Sequence, residues 1–220
     1  RTGSAVYSTA AFVNDRLYFG SYDRHFYCLN TDGELVWKYY TGEWIENSSC
    51  IFADGEEIWN FSGKQRDYQG PASVCFGSYN KNFYVLDAES GALQWMRRMD
   101  GMICWSHPIV KDGHIYFGDY SGHFNCIDAA SGSLQWRVLA GGNVSVSPVI
   151  NSGYIYFGSY DGGMYALSME GKISWKFLTG AGIWSKPALV NSILYFGSMD
   201  SNFYAIDINT RKVVWKFVTG

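Results

Sequence analysis

The sequence contains no run of about 20 consecutive apolar residues, the length that a membrane-spanning helix requires, so membrane insertion is not expected. It also has no run of like charges. Its net charge of −3 provides no basic field for phosphates, so neither nucleic acid nor an anionic membrane surface is expected as a partner. The five cysteines, Cys28, Cys50, Cys75, Cys104 and Cys126, include no C-x-x-C and no adjacent pair. That spacing indicates neither a zinc site nor a complete disulfide framework, and the cysteines read as small buried hydrophobes. There is no G-x-S-x-G elbow, no H-E-x-x-H and no P-loop. The glycine-rich "GSYDGG" at 158–163 sits between two strand-like runs with no helix after it to cradle a phosphate. Proline, at only 4 residues, seldom interrupts the pattern.

What the chain does have is 47% hydrophobic residues, 18% aromatics and 25 glycines in 220 positions. That balance favours a folded protein of many short strands joined by tight turns over a helical bundle.

Self-similarity settles the architecture. Five Phe-Gly pairs end at Gly20, Gly77, Gly118, Gly158 and Gly197, and five later tryptophans follow at Trp37, Trp95, Trp136, Trp175 and Trp215. Both rulers give a period of about forty residues, with an insertion at about 53–70 in the second unit. Within a unit, "WSKPALV", "ILYFGSM", "NFYAIDI" and "KVVWKFV" are strand-like runs separated by Asn191-Ser192, Asp200-Ser201 and Asn209-Thr210. Spacing this short leaves room only for antiparallel hairpins, so each unit predicts one four-stranded blade. The expected fold is a single all-β propeller domain over 1–220, with blades at about 3–42, 43–101, 102–141, 142–180 and 181–220. Two readings of its extent stand side by side: a five-bladed ring, or a segment of a longer array of seven or eight blades. A segment would expose blade faces and is expected to self-associate.

Each recurring residue has a physical reason. A glycine inside a strand marks close approach of another backbone or side chain. The column Asn30, Asp87, Asp128, Ser168, Asp207 can bond the following turn, in which Gly33, Gly91, Gly132 and Gly171 supply positive φ and Arg211 is the exception. The tryptophans are expected as docking residues, packing into the seam against a neighbouring blade.

The units "CFGSYNKNFYVLDAESGALQW" and "YFGDYSGHFNCIDAASGSLQW" resemble the pyrroloquinoline-quinone-type, or quinoprotein-like, β-propeller repeat, including its Ala-x-Asp-x-x-x-Gly-x-x-x-Trp docking signature. The resemblance implies relatives that include quinone-dependent dehydrogenases. Those enzymes hold the quinone with a disulfide of adjacent cysteines and a Ca²⁺ with acidic and amide oxygens. No two cysteines here are adjacent, so catalysis by that route is not expected, no cofactor is expected and no catalytic residue is assigned. No metal site is expected either: His25 and His123 share a column with Asn82, Gly163 and Asn202, where any polar residue can open the third strand.

Function is therefore sought on the surface. Loops leading into the innermost strands gather on one face around a propeller's axis. In this chain they read "SAVYST", "EWIENS", "MICWSHP", "NVSVSP" and "GIWSKP". The column Tyr7, Glu46, Trp105, Ser145 and Trp184 varies most, and Asn47, His107 and Lys186 lie beside it. Tyr7, Glu46, Asn47, Trp105, His107, Trp184 and Lys186 are the candidate ligand-binding residues; the competing reading has the tryptophans plugging the channel. In the insertion, Trp59, Phe61 and Tyr68 are candidate partner anchors, or else cover an edge or the channel mouth. The functional expectation is a non-catalytic module that binds a protein or small ligand or serves as a scaffold. The alternatives are a dehydrogenase-related enzyme or its degenerate relative, and an excised or engineered repeat segment without ligand.

Overall fold

The computed structural model describes residues 1–59 and 68–219. All regular structure among them is antiparallel β, in five sheets. Blade 1 holds β1 (Ala11–Val13), β2 (Arg16–Gly20), β3 (His25–Asn30) and β4 (Leu35–Tyr40). Blade 2 holds β5 (Cys50–Ala53), β6 (Glu56–Trp59), β7 (Ser73–Gly77), β8 (Asn82–Asp87) and β9 (Leu93–Arg98). Blade 3 comprises β10 (Ile109–Lys111), β11 (His114–Gly118), β12 (His123–Asp128) and β13 (Leu134–Leu139). Blade 4 comprises β14 (Val149–Asn151), β15 (Tyr154–Gly158), β16 (Gly163–Ser168) and β17 (Ile173–Leu178). Blade 5 comprises β18 (Ala188–Val190), β19 (Ile193–Ser198), β20 (Asn202–Asp207) and β21 (Lys212–Val218).

The turns follow from their residues. Each innermost hairpin turns on two left-handed residues, such as Asn14 and Asp15 (φ 51° and 56°) or Asp112 and Gly113 (φ 49° and 75°). That pairing matches the twist of the flanking strands, and Asn, Asp and Gly tolerate it. In blades 2 and 3 an aspartate closes the third-to-fourth-strand turn: Asp87 and Asp128 accept the N–H and hydroxyl of Ser90 and Ser131.

Three contacts recur at the seams. Gly20, Gly77, Gly118 and Gly158 lie against Ile45, Ile103, Val144 and Ile183 of the following blade, so closely that a Cβ would come within 2.4 Å of the neighbouring side chain. Phe26 stacks on Phe76, Phe83 on Phe117 and Phe124 on Phe157, with centroids 4.0 to 4.3 Å apart. The indoles of Trp37, Trp95 and Trp136 lie over Gly91, Gly132 and Gly171 of the next blade and donate to the carbonyls of Ala88, Ala129 and Met169 at 2.9 to 3.1 Å. At the fourth seam Arg211 replaces the glycine, at φ 60°; Trp175 packs there but makes no such bond among the described residues.

The insertion changes blade 2. Its first part, β6, pairs with the inner edge of β5 and becomes a fifth, innermost strand in the order β6-β5-β7-β8-β9. Ile58 and Trp59 are buried in one cluster with Ala11 and Val13 of blade 1. On the other side Glu57 Oε1 accepts the Val110 N–H at 2.9 Å, Glu56 Oε1 the Asp112 N–H at 3.1 Å, and the Gly55 carbonyl the Gly113 N–H at 2.9 Å, all from blade 3. The strand thus covers an edge that would otherwise be unpaired and ties three blades together at the axis.

Blades 1 to 5 follow one another, and hydrophobic clusters fill the four seams between them. No cluster among the described residues joins blade 5 to blade 1. Trp215 is 45% exposed, and a Cβ on Gly33 would meet nothing within 4 Å.

Candidate functional site

The loops leading into the innermost strands and the second-to-third-strand hairpins lie at the same end of every blade. Two repeat columns hold these loops in place. In the first, Ser8, Asn47, Ser106 and Ser185 clasp the strand glycine of their own blade. Gly20, Gly118 and Gly197 donate to the serine Oγ atoms at 2.7 to 2.8 Å. The Asn47 amide both donates to the Gly77 carbonyl and accepts its N–H, at 3.0 and 2.9 Å. Blade 4 has Val146 at this position and no such clasp can form.

The second column, Thr9, Ser48, His107, Ser147 and Lys186, forms a belt between blades. Thr9 N–H donates to Ser48 Oγ at 2.9 Å, Ser48 N–H to His107 Nδ1 at 2.7 Å, and His107 N–H to Ser147 Oγ at 3.3 Å. An ammonium cannot accept, so the belt ends at Lys186. Burial pushes the His107 imidazole down to about 4, aided by the Lys186 charge. It is therefore neutral at pH 7, with Nδ1 as the acceptor and the proton on Nε2. Burial also lowers the Lys186 ammonium, against the opposing pull of Glu57.

Where the belt ends, the surface opens into a cavity of 420 Å³ lined by Trp105, His107, Ser145, Val146, Ser147, Trp184 and Lys186. Trp105 and Trp184, from blades 3 and 5, meet edge to face across blade 4 at 5.3 Å. Tyr120 and Tyr160 brace them at 6.0 and 5.2 Å. The Ser145 hydroxyl, in a residue 5% exposed, has no hydrogen-bond partner among the described residues. The cavity thus combines an aromatic wall with a hydroxyl, an imidazole N–H and an ammonium.

Four of the seven candidate residues, Trp105, His107, Trp184 and Lys186, come together there; three do not. Tyr7, 66% exposed, belongs to a separate aromatic run with Tyr22, Trp44 and Tyr79, in which Tyr22 and Trp44 stack at 4.7 Å and 4°. Glu46 accepts the Tyr79 hydroxyl. Asn47 is fully buried in its clasp, so its amide faces its own blade. Of the insertion, Trp59 is 7% exposed and faces the core, leaving little surface for a partner to grip. Phe61 lies outside the described residues. Tyr68 is half-buried against the cluster shared by blades 1 and 2 and donates to the Pro71 carbonyl at 3.1 Å. The residues that sequence reasoning missed are Trp44 and the hairpin tyrosines. Their signal was present in the column Tyr22, Tyr79, Tyr120, Tyr160, always two residues after the strand glycine.

The cysteines are all free and none is adjacent to another, and among the described residues no group of three or more His, Cys, Asp or Glu side chains is placed to hold a metal. Among the described residues the cavity lining carries no carboxylate.

No curated protein matches the chain. Among solved structures, the crystal structure of BamB from Moraxella catarrhalis is similar with a TM-score of 0.75 at 19% identity, over 94% of this chain and 60% of that one. The chain therefore spans less than two thirds of that relative's length. A sequence profile described as outer membrane protein assembly factor BamB matches residues 2–217. With that match running through all five blades, the chain belongs to the BamB family of PQQ-like β-propeller repeat proteins.

Proposed function

We propose that this chain is a non-catalytic, cofactor-free binding module whose axial cavity takes an apolar side chain of a protein partner that ends in a hydrogen-bond acceptor. The BamB-like fold supports a protein-binding or scaffolding kind of role. The observation that carries the reading is the cavity at the end of the belt. Two tryptophans from different blades wall it, and the buried Ser145 hydroxyl, without a partner among the described residues, can donate into it. Aromatic anchors around a desolvated polar floor are the usual composition of an interface hot spot.

The test is selection of peptides from a random display library on the immobilised chain, followed by affinity measurement. Trp184→Ala and Trp105→Ala are expected to weaken the selected peptides by about thirtyfold or more, the effect of losing one hot-spot aromatic. A control substitution on the outer face of blade 1, Val36→Ser, is expected to leave them unchanged. Peptides insensitive to both tryptophans would remove the axial reading.

A further inference from the structure

The first two of the four repeated strands pair in the same register in every blade, and blade 2 departs from the repeat at two facing positions of that register. In the other blades a residue of the first strand stands opposite a tyrosine of the second: Ala11 opposite Tyr18, Ile109 opposite Tyr116, Val149 opposite Tyr156 and Ala188 opposite Tyr195. Each tyrosine ring lies 5.9 to 6.0 Å from the docking tryptophan of its own blade. In blade 2 the facing residues are Cys50 on β5 and Cys75 on β7, so Trp95 gives up that neighbour. Both side chains are fully buried in the cluster at the seam of blades 2 and 3, and their sulfurs are within hydrogen-bonding reach of each other. Directly opposed residues of an antiparallel pair have Cα atoms about 4.5 or 5.5 Å apart, inside the span of about 4.4–6.8 Å that a disulfide bridges. The remaining cysteines are placed otherwise. Cys28 faces Tyr18 and Trp37, Cys126 faces Tyr116 and Trp136, and Cys104 lies in the loop before β10.

From this juxtaposition we infer that Cys50 and Cys75 form a disulfide site, closed by exchange with a small-molecule disulfide such as oxidised glutathione. One cysteine sulfur attacks the oxidant and releases a first thiol; the other attacks the mixed disulfide and releases a second. One S–S bond is made and one is broken, and the two protons and two electrons that the cysteines give up leave in the two small thiols. Burial holds the Cys50 thiol well above its usual range, so exchange is slow in the folded chain, and the bond forms mainly as the chain folds or as β5 and β7 part. The bond has a definite place in the fold. Cys50 and Cys75 flank the insertion, and Cys50 Sγ lies 3.9 Å from Glu57 Oε1 on β6. Closing it ties off the base of the strand that joins blades 1, 2 and 3, so oxidation stiffens the hub and reduction loosens it.

The experiment refolds the 220-residue chain from urea in a mixture of reduced and oxidised glutathione, blocks the remaining thiols with N-ethylmaleimide and reads the products by mass spectrometry. Two fewer cysteines are expected to be blocked than after refolding in dithiothreitol, with tryptic peptides 39–64 and 67–81 joined. Cys28→Ala/Cys104→Ala/Cys126→Ala, which keeps only the facing pair, is expected to give the same linkage, and Cys75→Ala to lose it. Urea unfolding then compares the oxidised and reduced forms. The oxidised wild type is expected to have the higher midpoint, by about 1 M, and Cys75→Ala to show no such difference. Thermal melts of the reduced chains check that each variant is folded; should Cys75→Ala fail to fold, the wild type and the triple variant still decide. A chain that keeps five blockable cysteines at equilibrium overturns the inference. So do linkages spread over other pairs, or an oxidised form no more stable than the reduced one. None of these outcomes depends on the axial cavity, so failure here leaves the peptide-binding reading to its own test.

Discussion

The strand glycines permit an internally controlled test of what holds the blades together. Gly77 and Gly197 occupy the same repeat position, on the second of the four repeated strands of their blades, and neither has a positive φ, so alanine is conformationally acceptable at both. They differ in what lies across the seam. A Cβ at Gly77 would stand 2.3 Å from Ile103 Cγ2, 2.4 Å from its Cβ and 2.9 Å from its carbonyl oxygen; at Gly197 the nearest atom is at 3.7 Å. The carbonyl is backbone, and Ile103 is fully buried among Cys75, Phe83 and Phe117, so the clash cannot be relieved by turning one side chain. Overpacking of this kind costs about 1–3 kcal/mol, and Gly77→Ala is expected at about 3. For a chain of this size each kcal/mol lowers Tm by about 2–4 °C, so the melt is expected to fall by about 6–12 °C. Gly197→Ala is expected within about 0.5 kcal/mol of wild type, or slightly above it from reduced unfolded-state entropy. The assay is urea and thermal unfolding in dilute protein. Equal losses at the two sites, or a change below about 0.5 kcal/mol at Gly77, would refute the claim that close inter-blade approach selects glycine in this column.

Two further outcomes follow from the seams and the belt. Trp95→Phe keeps most of the ring packing but removes the bond to the Ala129 carbonyl, so urea unfolding is expected to register a loss of about 1 kcal/mol, against about 3–5 for Trp95→Ala. His107 has a folded pKa near 4, below its unfolded value near 6.5, so the unfolded chain takes up the proton first and stability declines as pH falls from about 6.5 to about 4. At most this amounts to on the order of 3 kcal/mol. His107→Asn, which keeps an acceptor for the Ser48 N–H but does not titrate, should flatten the pH profile of the unfolding midpoint across that window.

The parts of the fold that were legible in the sequence are those that each blade repeats for a local reason. Strand alternation, turn chemistry and the Phe-Gly and Trp columns act within a blade or between adjacent ones, so the pattern appears five times. The insertion was legible as a hairpin between the first two strands of blade 2. Its position inside the axis was not, because that depends on empty space bounded by blades 1 and 3, which no local pattern encodes. Trp59 read either as a partner anchor or as cover for an edge or the channel mouth, and it lies buried against Ala11 and Val13 on the strand that covers the inner edge of β5. Asn47 and His107 stood out as polar residues in loops, yet both also serve the scaffold, one as a clasp and the other as a belt member. Their partners, a glycine N–H and a serine N–H, are backbone groups that a sequence does not display. Trp105 and Trp184 stood out because they break their column, and that irregularity is what the cavity is made of.

The innermost strand of blade 2 has a mechanical consequence. Blades that touch only their neighbours take their stability from their own packing and from the seams beside them. In this chain β6 straps blades 1, 2 and 3 at the hub, whereas blades 4 and 5 have only their own seams, the last without its indole bond. Local opening should therefore be lopsided, with amide exchange slow through the strapped sector and faster toward blade 5. The tryptophan pair bridges that softer sector, so whatever settles between the two rings would also brace it.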